Sequence, residues 1–293
     1  MKWLLKSPKI NKLLIALSFS KCYLSSQENI GLGEKRGLST YENFLAKLNK
    51  QLDIDLIGYK RPQMERRINS LMRTLQIKNY DEFIEKMKSD PAILKRFLQH
   101  LTINVSEFFR NPSQWEVLRE KIIPLLLANI KDLRIWSAGC STGEEPYSLA
   151  ILLKEYFPYV KYSLLATDFD IQVLEKAKAG VYSSNEVSGV PPKLINKYFL
   201  KDNDVFQIKP ELKKDIIFKR HNLLRDPFST NFDLIVCRNV VIYFTEETKN
   251  ILYRKFYASL KSKGVLFTGS TEQIMQAREI GFTSPAIFFY QKT

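Results

Sequence analysis

The stretch from Ser137 to Tyr147, which reads SAGCSTGEEPY, combines residue types that could bind a charged small molecule. Its small side chains and two glycines allow a tight turn and a close approach of the backbone to a ligand. Glu144 and Glu145 follow at the predicted start of a helix, where carboxylates are well tolerated. The full G-x-G-x-x-G pattern of dinucleotide-binding turns is absent, and the acidic turn would repel a pyrophosphate. S-adenosylmethionine, which carries a sulfonium and an ammonium group and no phosphate, fits such a turn.

An acidic side chain stands where a second strand is predicted to end. Tyr162 to Thr167 is typical of a buried strand, and Asp168 follows it. Rossmann-like folds hold ribose hydroxyls with an acidic residue at this place, roughly 20 residues beyond the glycine turn. Asp168 could instead cap the next helix, but Asp170 is better placed to cap a helix from Ile171 to Ala179. Asp168 is therefore predicted to bind the ribose.

Polar residues also follow two later strands. Asn222 comes after a predicted strand and could either hydrogen-bond an adenine edge or cap a turn. Arg238 and Asn239 directly follow the apolar run from Phe232 to Cys237. In open α/β sheets, ligands bind at the carboxyl ends of the strands, so these residues are predicted to face the same crevice.

The elements that position these residues indicate two kinds of domain. Apolar residues at helical spacing predict four short helices between Ser39 and Leu101, before the first strand at Leu133. Strands and helices then alternate, which is typical of an α/β domain. A helix from Glu246 to Lys261, ended by Gly264, and a last edge strand from Phe288 to Tyr290 complete the pattern. The predicted fold is a Rossmann-like α/β domain that binds S-adenosylmethionine, preceded by a small all-helical domain.

The domain boundaries follow from this pattern and from composition. We expect a helical domain over residues 39–110, a connecting helix over 111–132 and the catalytic domain over 133–293, with a small β-insertion near 201–214. Pro124 should kink or break the connecting helix. Residues 1–38 are basic and contain glycines, which favours a flexible extension over a secretion signal. The short apolar run within them is too short to cross a bilayer, and no stable membrane insertion is predicted.

Composition narrows the class of partner. The net charge of the 293 residues is +14, which favours encounters with acidic partners. Three cysteines without a C-x-x-C pattern fit a reducing, cytoplasmic location, and two distant histidines give no metal site. The second predicted helix carries Arg66, Arg67 and Arg73, either as a solvated face or as a docking surface for something acidic.

The segment between the helical and α/β parts allows two interpretations. It reads LTINVSEFFRNP from Leu101 to Pro112, with Asn104 and Ser106 as polar residues in an apolar run and Arg110 after two phenylalanines. It could be a helix end with a capping serine. It could also be a lid, in which the aromatic residues anchor the segment and the polar side chains face a ligand.

Several strings together resemble one family. GYKRPQMERRI (58–68), LTINVSEFFRN (101–111), SAGCSTGEEPYSLAI (137–151), ATDFD (166–170), HNLL (221–224), CRNVVIYF (237–244) and GSTEQI (269–274) occur in order. From about Thr40 onward, the chain resembles the CheR-type chemotaxis receptor methyltransferases, whereas residues 1–38 match nothing in the pattern. Ser106 stands where the family often has threonine, which keeps the hydroxyl.

The resemblance implies methyl transfer from S-adenosylmethionine to glutamate side chains of chemotaxis receptors, which forms methyl esters. It implies that the cofactor is held by Asn104, Ser106, Arg110, Glu144, Asp168, Asn222, Leu223, Arg238 and Asn239. Arg110 and Tyr243 are implied near the transferred methyl group. The basic helix would face the cytoplasmic signalling helices of the receptor, and we expect the enzyme to be a monomer that binds no nucleic acid.

Two other functions were weighed against this one. The basic charge would suit a nucleic-acid methyltransferase, but the only Pro-Pro pair, Pro191-Pro192, lacks the aromatic context of an amino-methylating loop. Neither Cys140 nor Cys237 follows a proline, as a cytosine-methylating cysteine would. A non-catalytic module that only senses S-adenosylmethionine is the second alternative, and the intact Arg110, Asp168 and Tyr243 argue against it.

Overall fold

The structure is a computed structural model that describes residues 40–101, 106–128 and 130–293. The extension predicted for residues 1–38 and the site residue Asn104 lie outside the described residues. Residues Thr40–Thr293 belong to one compact unit. Within the described ranges, no helix is long and apolar enough to cross a membrane.

Four amphipathic helices come first: α1 (Tyr41–Leu52), α2 (Arg61–Thr74), α3 (Tyr80–Ser89) and α4 (Pro91–Leu101). Each contributes buried side chains to one shared core, for example Phe44, Ile68, Phe83 and Phe97. Apolar residues three and four positions apart share a helix face, which is why the spacing predicted these elements. The predicted cap at Asp90 is confirmed, because its carboxylate accepts from the Ala92 amide at 2.8 Å.

A continuous helical segment leads to the first strand. It comprises α5 (Pro112–Val117), a π-helical turn (Leu118–Ile122) and α6 (Ile123–Leu127). The irregularity expected around Pro124 is this turn, in which the Ile123 amide donates to Leu118 five residues back. Proline has no amide hydrogen and crowds the preceding carbonyls, so regular α-helical bonding is interrupted there.

In the described part of the chain, seven strands form the main sheet in the order β6-β2-β1-β7-β8-β10-β9. Their bounds are β1 (Asp132–Ala138), β2 (Lys161–Asp168), β6 (Ile216–Arg220), β7 (Phe232–Cys237), β8 (Leu260–Thr268), β9 (Phe282–Ala286) and β10 (Phe289–Lys292). The first five of these strands run parallel, and β10 pairs antiparallel with both β8 and β9. The predicted edge strand at the carboxyl terminus is therefore wrong: β10 lies inside the sheet, and β9 is the edge.

Helices cover both faces of this sheet: α7 (Glu144–Tyr156), α8 (Ile171–Ala179), α9 (Pro192–Tyr198), α10 (Pro210–Lys213), α11 (Glu246–Ser259) and α12 (Ala277–Ile280). Side chains alternate between two cores, so that Ile135 joins one and its neighbour Trp136 joins the other. The predicted end of the helix at Gly264 is wrong, because α11 ends at Ser259 and Gly264 lies within β8. The cap at Asp170 and the end of α8 at Gly180 are confirmed.

A second, smaller sheet is built from β3 (Val181–Ser183), β4 (Phe199–Asp202) and β5 (Val205–Ile208). Its order is β3-β5-β4, and both pairings are antiparallel. It begins well before residue 201, because β3 directly follows α8.

Candidate active site

The cleft lies where the order of the main sheet reverses. From β1 the chain proceeds outward through β2 and β6, and it then returns to place β7 and β8 on the other side of β1. Such a switch point leaves a crevice outside the carboxyl ends of the strands. Eight of the predicted site residues line this one cleft: Ser106, Arg110, Asp168, Asn222, Leu223, Arg238, Asn239 and Tyr243.

The helical domain contributes the opposite wall. Ile54, Leu56 and Tyr59, from the connection between α1 and α2, line the cleft together with Leu98 and Leu101 of α4. These side chains are apolar or aromatic, and Asp53 and Asp55 of the same connection add two carboxylates to the lining. The cleft thus combines apolar surface with a few polar groups, as is usual for small-molecule sites.

The glycine turn after β1 allows backbone to approach backbone closely. Gly139 has a φ of +89°, and a Cβ atom there would come within 2.4 Å of a Val240 methyl group. The amides of Gly139 and Cys140 both donate to the carbonyl of Thr167, at 2.8 and 2.9 Å. Only glycine fits this position without strain, and the turn consequently lies directly beside Asp168 and the loop after β7.

The Asp168 carboxylate is fixed by two backbone amides. It accepts from Ser141 at 2.9 Å and from Asp170 at 3.0 Å. Burial raises the pKa of Asp168, and these backbone hydrogen bonds oppose the shift. A carboxylate has about four acceptor positions, so a held carboxylate at a cleft wall can still accept from ligand hydroxyls.

The two glutamates at the start of α7 have different surroundings. Glu144 is 1% exposed and does not line the cleft; the Thr142 hydroxyl donates to both of its oxygens, at 2.7 and 2.8 Å. It also bonds the side chain of Ser106, which does line the cleft. Glu144 is thus bound by its neighbours, and its predicted contact with the cofactor stays a prediction.

Glu145 is a cleft carboxylate that the sequence analysis did not select, as are Asp53, Asp55 and Glu107. It lines the cleft, accepts from the Ser137 hydroxyl at 2.7 Å and lies 3.9 Å from the Arg238 guanidinium. Burial raises its pKa to about 6, against the opposing charge of Arg238. Adjacent helical residues point about 100° apart, and without the tertiary fold nothing indicated which one faced the ligand.

Arg238 anchors the segment that carries Arg110. Its guanidinium donates to the Arg110 carbonyl at 2.7 Å, to the Asn111 side chain at 3.0 Å and to Gln114 at 3.1 Å. It also lies over the ring of Phe267, 4.8 Å from the ring centroid. Its side chain is only 3% exposed, and burial lowers its pKa. The main observed role of Arg238 is thus to position Arg110.

Tyr243 connects the catalytic domain with the helical domain. Its carbonyl accepts from the Lys60 amide at 2.9 Å, and the ring of Phe244 packs edge-on against Tyr59 at 4.8 Å. Burial raises the pKa of Tyr243, while the nearby charges of Arg67 and Arg110 act in the opposite direction. Two cationic side chains therefore act on the Tyr243 hydroxyl.

Asn222 caps a turn, and its predicted hydrogen bond to an adenine edge stays a prediction. Its side-chain oxygen accepts from the Leu224 amide at 2.9 Å, which is a turn cap, and the residue also lines the cleft. Leu223 beside it supplies an apolar surface on which a flat ring could pack.

Unpartnered polar atoms test whether a cofactor fits. Ser141 Oγ, His221 Nε2 and Asn239 Oδ1 are buried, belong to residues that line the cleft, and have no hydrogen-bond partner among the described residues. Buried polar atoms without partners are uncommon and indicate a missing ligand or water. With the carboxylates of Asp168 and Glu145, they form a cleft suited to a ligand with hydroxyl, ring-nitrogen and cationic groups. Within the described ranges, no group of acidic, histidine and cysteine side chains could hold a metal ion.

The sheet with its switch point, the glycine turn and the carboxylate at the end of β2 define a Rossmann-like domain built to bind a nucleoside-containing cofactor. Two family models match the chain: "CheR methyltransferase, all-alpha domain" over residues 39–102, and "CheR methyltransferase, SAM binding domain" over residues 104–285. The chain belongs to the CheR methyltransferase family. It is a methyltransferase that uses S-adenosylmethionine.

Relatives from several bacteria agree with this family. A chemotaxis protein methyltransferase of Listeria innocua is 43% identical over 254 residues, which cover 86% of this chain and 97% of the relative. A chemotaxis protein methyltransferase of Borreliella burgdorferi is 37% identical over a region that covers 80% of this chain and 88% of the relative. A chemotaxis protein methyltransferase of Salmonella typhimurium is 30% identical over a region that covers 82% of this chain and 85% of the relative.

Proposed function

We propose that this protein transfers the methyl group of S-adenosylmethionine to glutamate side chains of chemotaxis receptors, forming glutamate methyl esters. The observation that carries this proposal is that Arg110 and Tyr243 line one cleft together with Asp168. The positive charges of Arg67 and Arg110 act on Tyr243, against the charge of Glu272. An anionic acceptor is what such a place attracts. The names of the relatives, which are chemotaxis protein methyltransferases, supply the pathway.

The cofactor contacts in this proposal follow the geometry of the cleft. Asp168 accepts from the ribose hydroxyls, and Asn222 and Leu223 hold the adenine. Glu145, rather than Glu144, faces the ammonium group, because only Glu145 lines the cleft. Ser106 and Asn239 contribute polar contacts, and Arg110 contacts the carboxylate of the amino-acid portion through its planar guanidinium.

The chemistry requires positioning more than proton transfer. Bound S-adenosylmethionine supplies a methyl group on a positively charged sulfur atom. A glutamate carboxylate has an ordinary pKa of about 4.3 and is ionised at neutral pH, so no side chain of this protein has to remove a proton. The residues near Tyr243 hold the acceptor oxygen in line, and the apolar side chains of the helical domain, such as Leu56 and Leu98, limit the access of water.

Helix α2 is the proposed docking surface for the receptor. Arg66 and Arg73 are exposed on it, whereas Arg67 is half-buried and donates to the His100 carbonyl from Nε at 2.8 Å. We assign the two exposed arginines to the long-range attraction of acidic receptor helices. We assign Arg67 to the acceptor site itself, because its charge acts on Tyr243. A cytoplasmic location and a monomeric state are further parts of this proposal.

Labelled S-adenosylmethionine tests the function directly. The protein is incubated with membranes that contain chemotaxis receptors, and with nucleic acid in a parallel reaction. We expect tritium on the receptors that mild base releases as methanol, since esters hydrolyse readily. Stable label on nucleic acid would support the nucleic-acid methyltransferase instead. Cofactor binding without transfer to any receptor fraction would support the sensing module.

A further inference from the structure

A buried carboxylate behind the cleft holds the loop that follows β7. Glu272 is 3% exposed. Its Oε2 atom accepts from the amides of Asn239 at 2.6 Å and Gly269 at 2.8 Å, and its Oε1 atom accepts from the Ile242 amide at 3.3 Å. One side chain thus joins the loop after β8 to the loop after β7.

The loop held in this way carries cleft residues. Asn239 has a φ of +60°, a left-handed conformation that is uncommon for residues other than glycine but that asparagine adopts more readily than most, so its surroundings need only help to hold it there. The bond from its amide to Glu272 is part of those surroundings. In this conformation, Asn239 lines the cleft with its Oδ1 atom unpartnered among the described residues. Tyr243 directly follows Ile242, whose amide donates to Glu272.

Gly269 leaves space for the carboxylate. A Cβ atom at Gly269 would lie 2.5 Å from Glu272 Oε2 and 2.9 Å from the Asn239 amide nitrogen. Any larger residue would push the carboxylate away from the Asn239 amide. The close contact between the loop after β8 and the loop after β7 therefore depends on both Gly269 and Glu272.

A neutral isostere cannot reproduce these bonds. Each carboxylate oxygen of Glu272 faces backbone donors, and both oxygens accept. In glutamine, one oxygen is replaced by an amino group that can only donate, so at least one backbone amide would face another donor. A buried donor without an acceptor is costly, and the loop would have to move to relieve it.

We propose that Glu272 is a positioning residue for methyl transfer: its carboxylate sets the conformation of Asn239 and, through the loop, the place of Tyr243. Glu272 itself does not line the cleft. The proposal rests on the proposed function. Its test therefore separates cofactor binding, which needs no acceptor, from methyl transfer.

The test uses Glu272→Gln and Gly269→Ala, with Glu279→Gln as the control, because Glu279 is an exposed glutamate seven residues further along the chain. Calorimetry gives the Kd for S-adenosylmethionine, and receptor methylation gives kcat and KM, both on protein shown to be folded by circular dichroism. We expect both variants to raise the cofactor Kd at least threefold and to lower kcat about tenfold or more, with the receptor KM within twofold of wild type. The control should match wild type.

A double-mutant cycle with Asn239→Ala separates positioning from general stability. Suppose that Glu272 acts through Asn239. Then Glu272→Gln should raise the cofactor Kd less when it is introduced into the Asn239→Ala protein than when it is introduced into the wild-type protein. Cofactor affinity and kcat within twofold of the control would overturn the proposal, as would fully additive effects. If wild-type protein binds the cofactor but methylates no receptor, the proposed function fails, and the affinity arm still decides the role of Glu272.

Discussion

Two neighbouring glutamates illustrate how differently adjacent residues can act in one site. Glu144 is bound by Thr142 and supports Ser106, whereas Glu145 lines the cleft with a pKa raised to about 6 by burial. A raised pKa means that the free protein holds a proton on Glu145 below about pH 6. A cationic ligand favours the ionised form, so cofactor binding should displace that proton.

The affinity for S-adenosylmethionine is therefore expected to depend on pH. Below about pH 6, affinity should fall by up to tenfold per pH unit, because one proton must leave on binding. Glu145→Gln should remove this dependence and weaken binding at pH 7.5, as measured by calorimetry. Glu144→Gln serves as the control and should retain the dependence. A flat profile for the wild-type protein would exclude Glu145 from the ammonium site.

The raised pKa of Glu145 has the opposite consequence for the stability of the cofactor-free protein, which should decrease as pH rises. Because its folded pKa lies above the ordinary 4.5, the stability that Glu145 contributes is present at low pH and is lost as pH rises through about 6. The difference of about 1.5 between the folded and the ordinary pKa of Glu145 corresponds to about 2 kcal/mol of unfolding free energy. Ligand-free Glu145→Gln should consequently unfold at a higher denaturant concentration than wild type at pH 7.5.

At the scale of elements, the first turn of the basic helix α2 is joined to the loop that carries Tyr243. Tyr59 and Phe244 form an isolated antiparallel bridge, and the Thr245 amide donates to the Gly58 carbonyl at 2.9 Å. A receptor that docks on α2 therefore binds an element in direct backbone contact with the acceptor site. A change of an exposed arginine on α2 should therefore affect receptor docking, whereas a change of the half-buried Arg67 should also affect catalysis.

Arg66→Glu should raise the receptor KM about tenfold and leave cofactor affinity unchanged, because Arg66 is exposed and does not line the cleft. Arg67→Glu should lower kcat as well, because Arg67 acts on Tyr243. Arg96→Glu, an exposed change of the same charge on α4, is the control. Steady-state methylation kinetics and calorimetry distinguish the variants. Equal kinetic effects of the Arg66 and Arg67 changes would contradict this division.

The elements themselves were largely predictable, and the errors have local causes. Repeating apolar positions predicted α1 to α4, and capping chemistry predicted both ends of α8. The end of α11 was missed because Gly264 looked like a helix terminator, although close backbone contacts at the Phe232 and Lys261 carbonyls are what require glycine there. The place of β10 inside the sheet depends on pairing with β8 and β9, which no local pattern encodes.

At the scale of the molecule, one tyrosine joins the two domains. Tyr59 packs against the core of the helical domain and against the core beneath α11, and it also lines the cleft. Burial raises its pKa to about 12. A side chain shared by two cores and a ligand site should couple their stabilities.

Tyr59→Ala should lower the free energy of unfolding by about 2 kcal/mol and also weaken cofactor binding, since it removes a partly buried aromatic ring that packs against both cores. Tyr159→Ala is the matched control, because Tyr159 is 98% exposed and its change should cost less than about 0.5 kcal/mol. Urea unfolding with and without S-adenosylmethionine measures both effects. If the loss of stability came without any change in affinity, Tyr59 would be a core residue only.

The sequence by itself indicated the class of fold and the cofactor, and it placed Asp168, Asn222, Arg238 and Asn239 at the cleft. These inferences depend on periodicity, on capping and on polar residues that directly follow strands. The tertiary structure alone decided which of Glu144 and Glu145 faces the cleft, that Arg238 holds the Arg110 segment, and that Glu272 fixes the Asn239 loop. Each of these depends on the direction of a side chain and on partners distant in the chain. Side-chain direction is fixed only when the elements pack together, and local spacing carries no record of it.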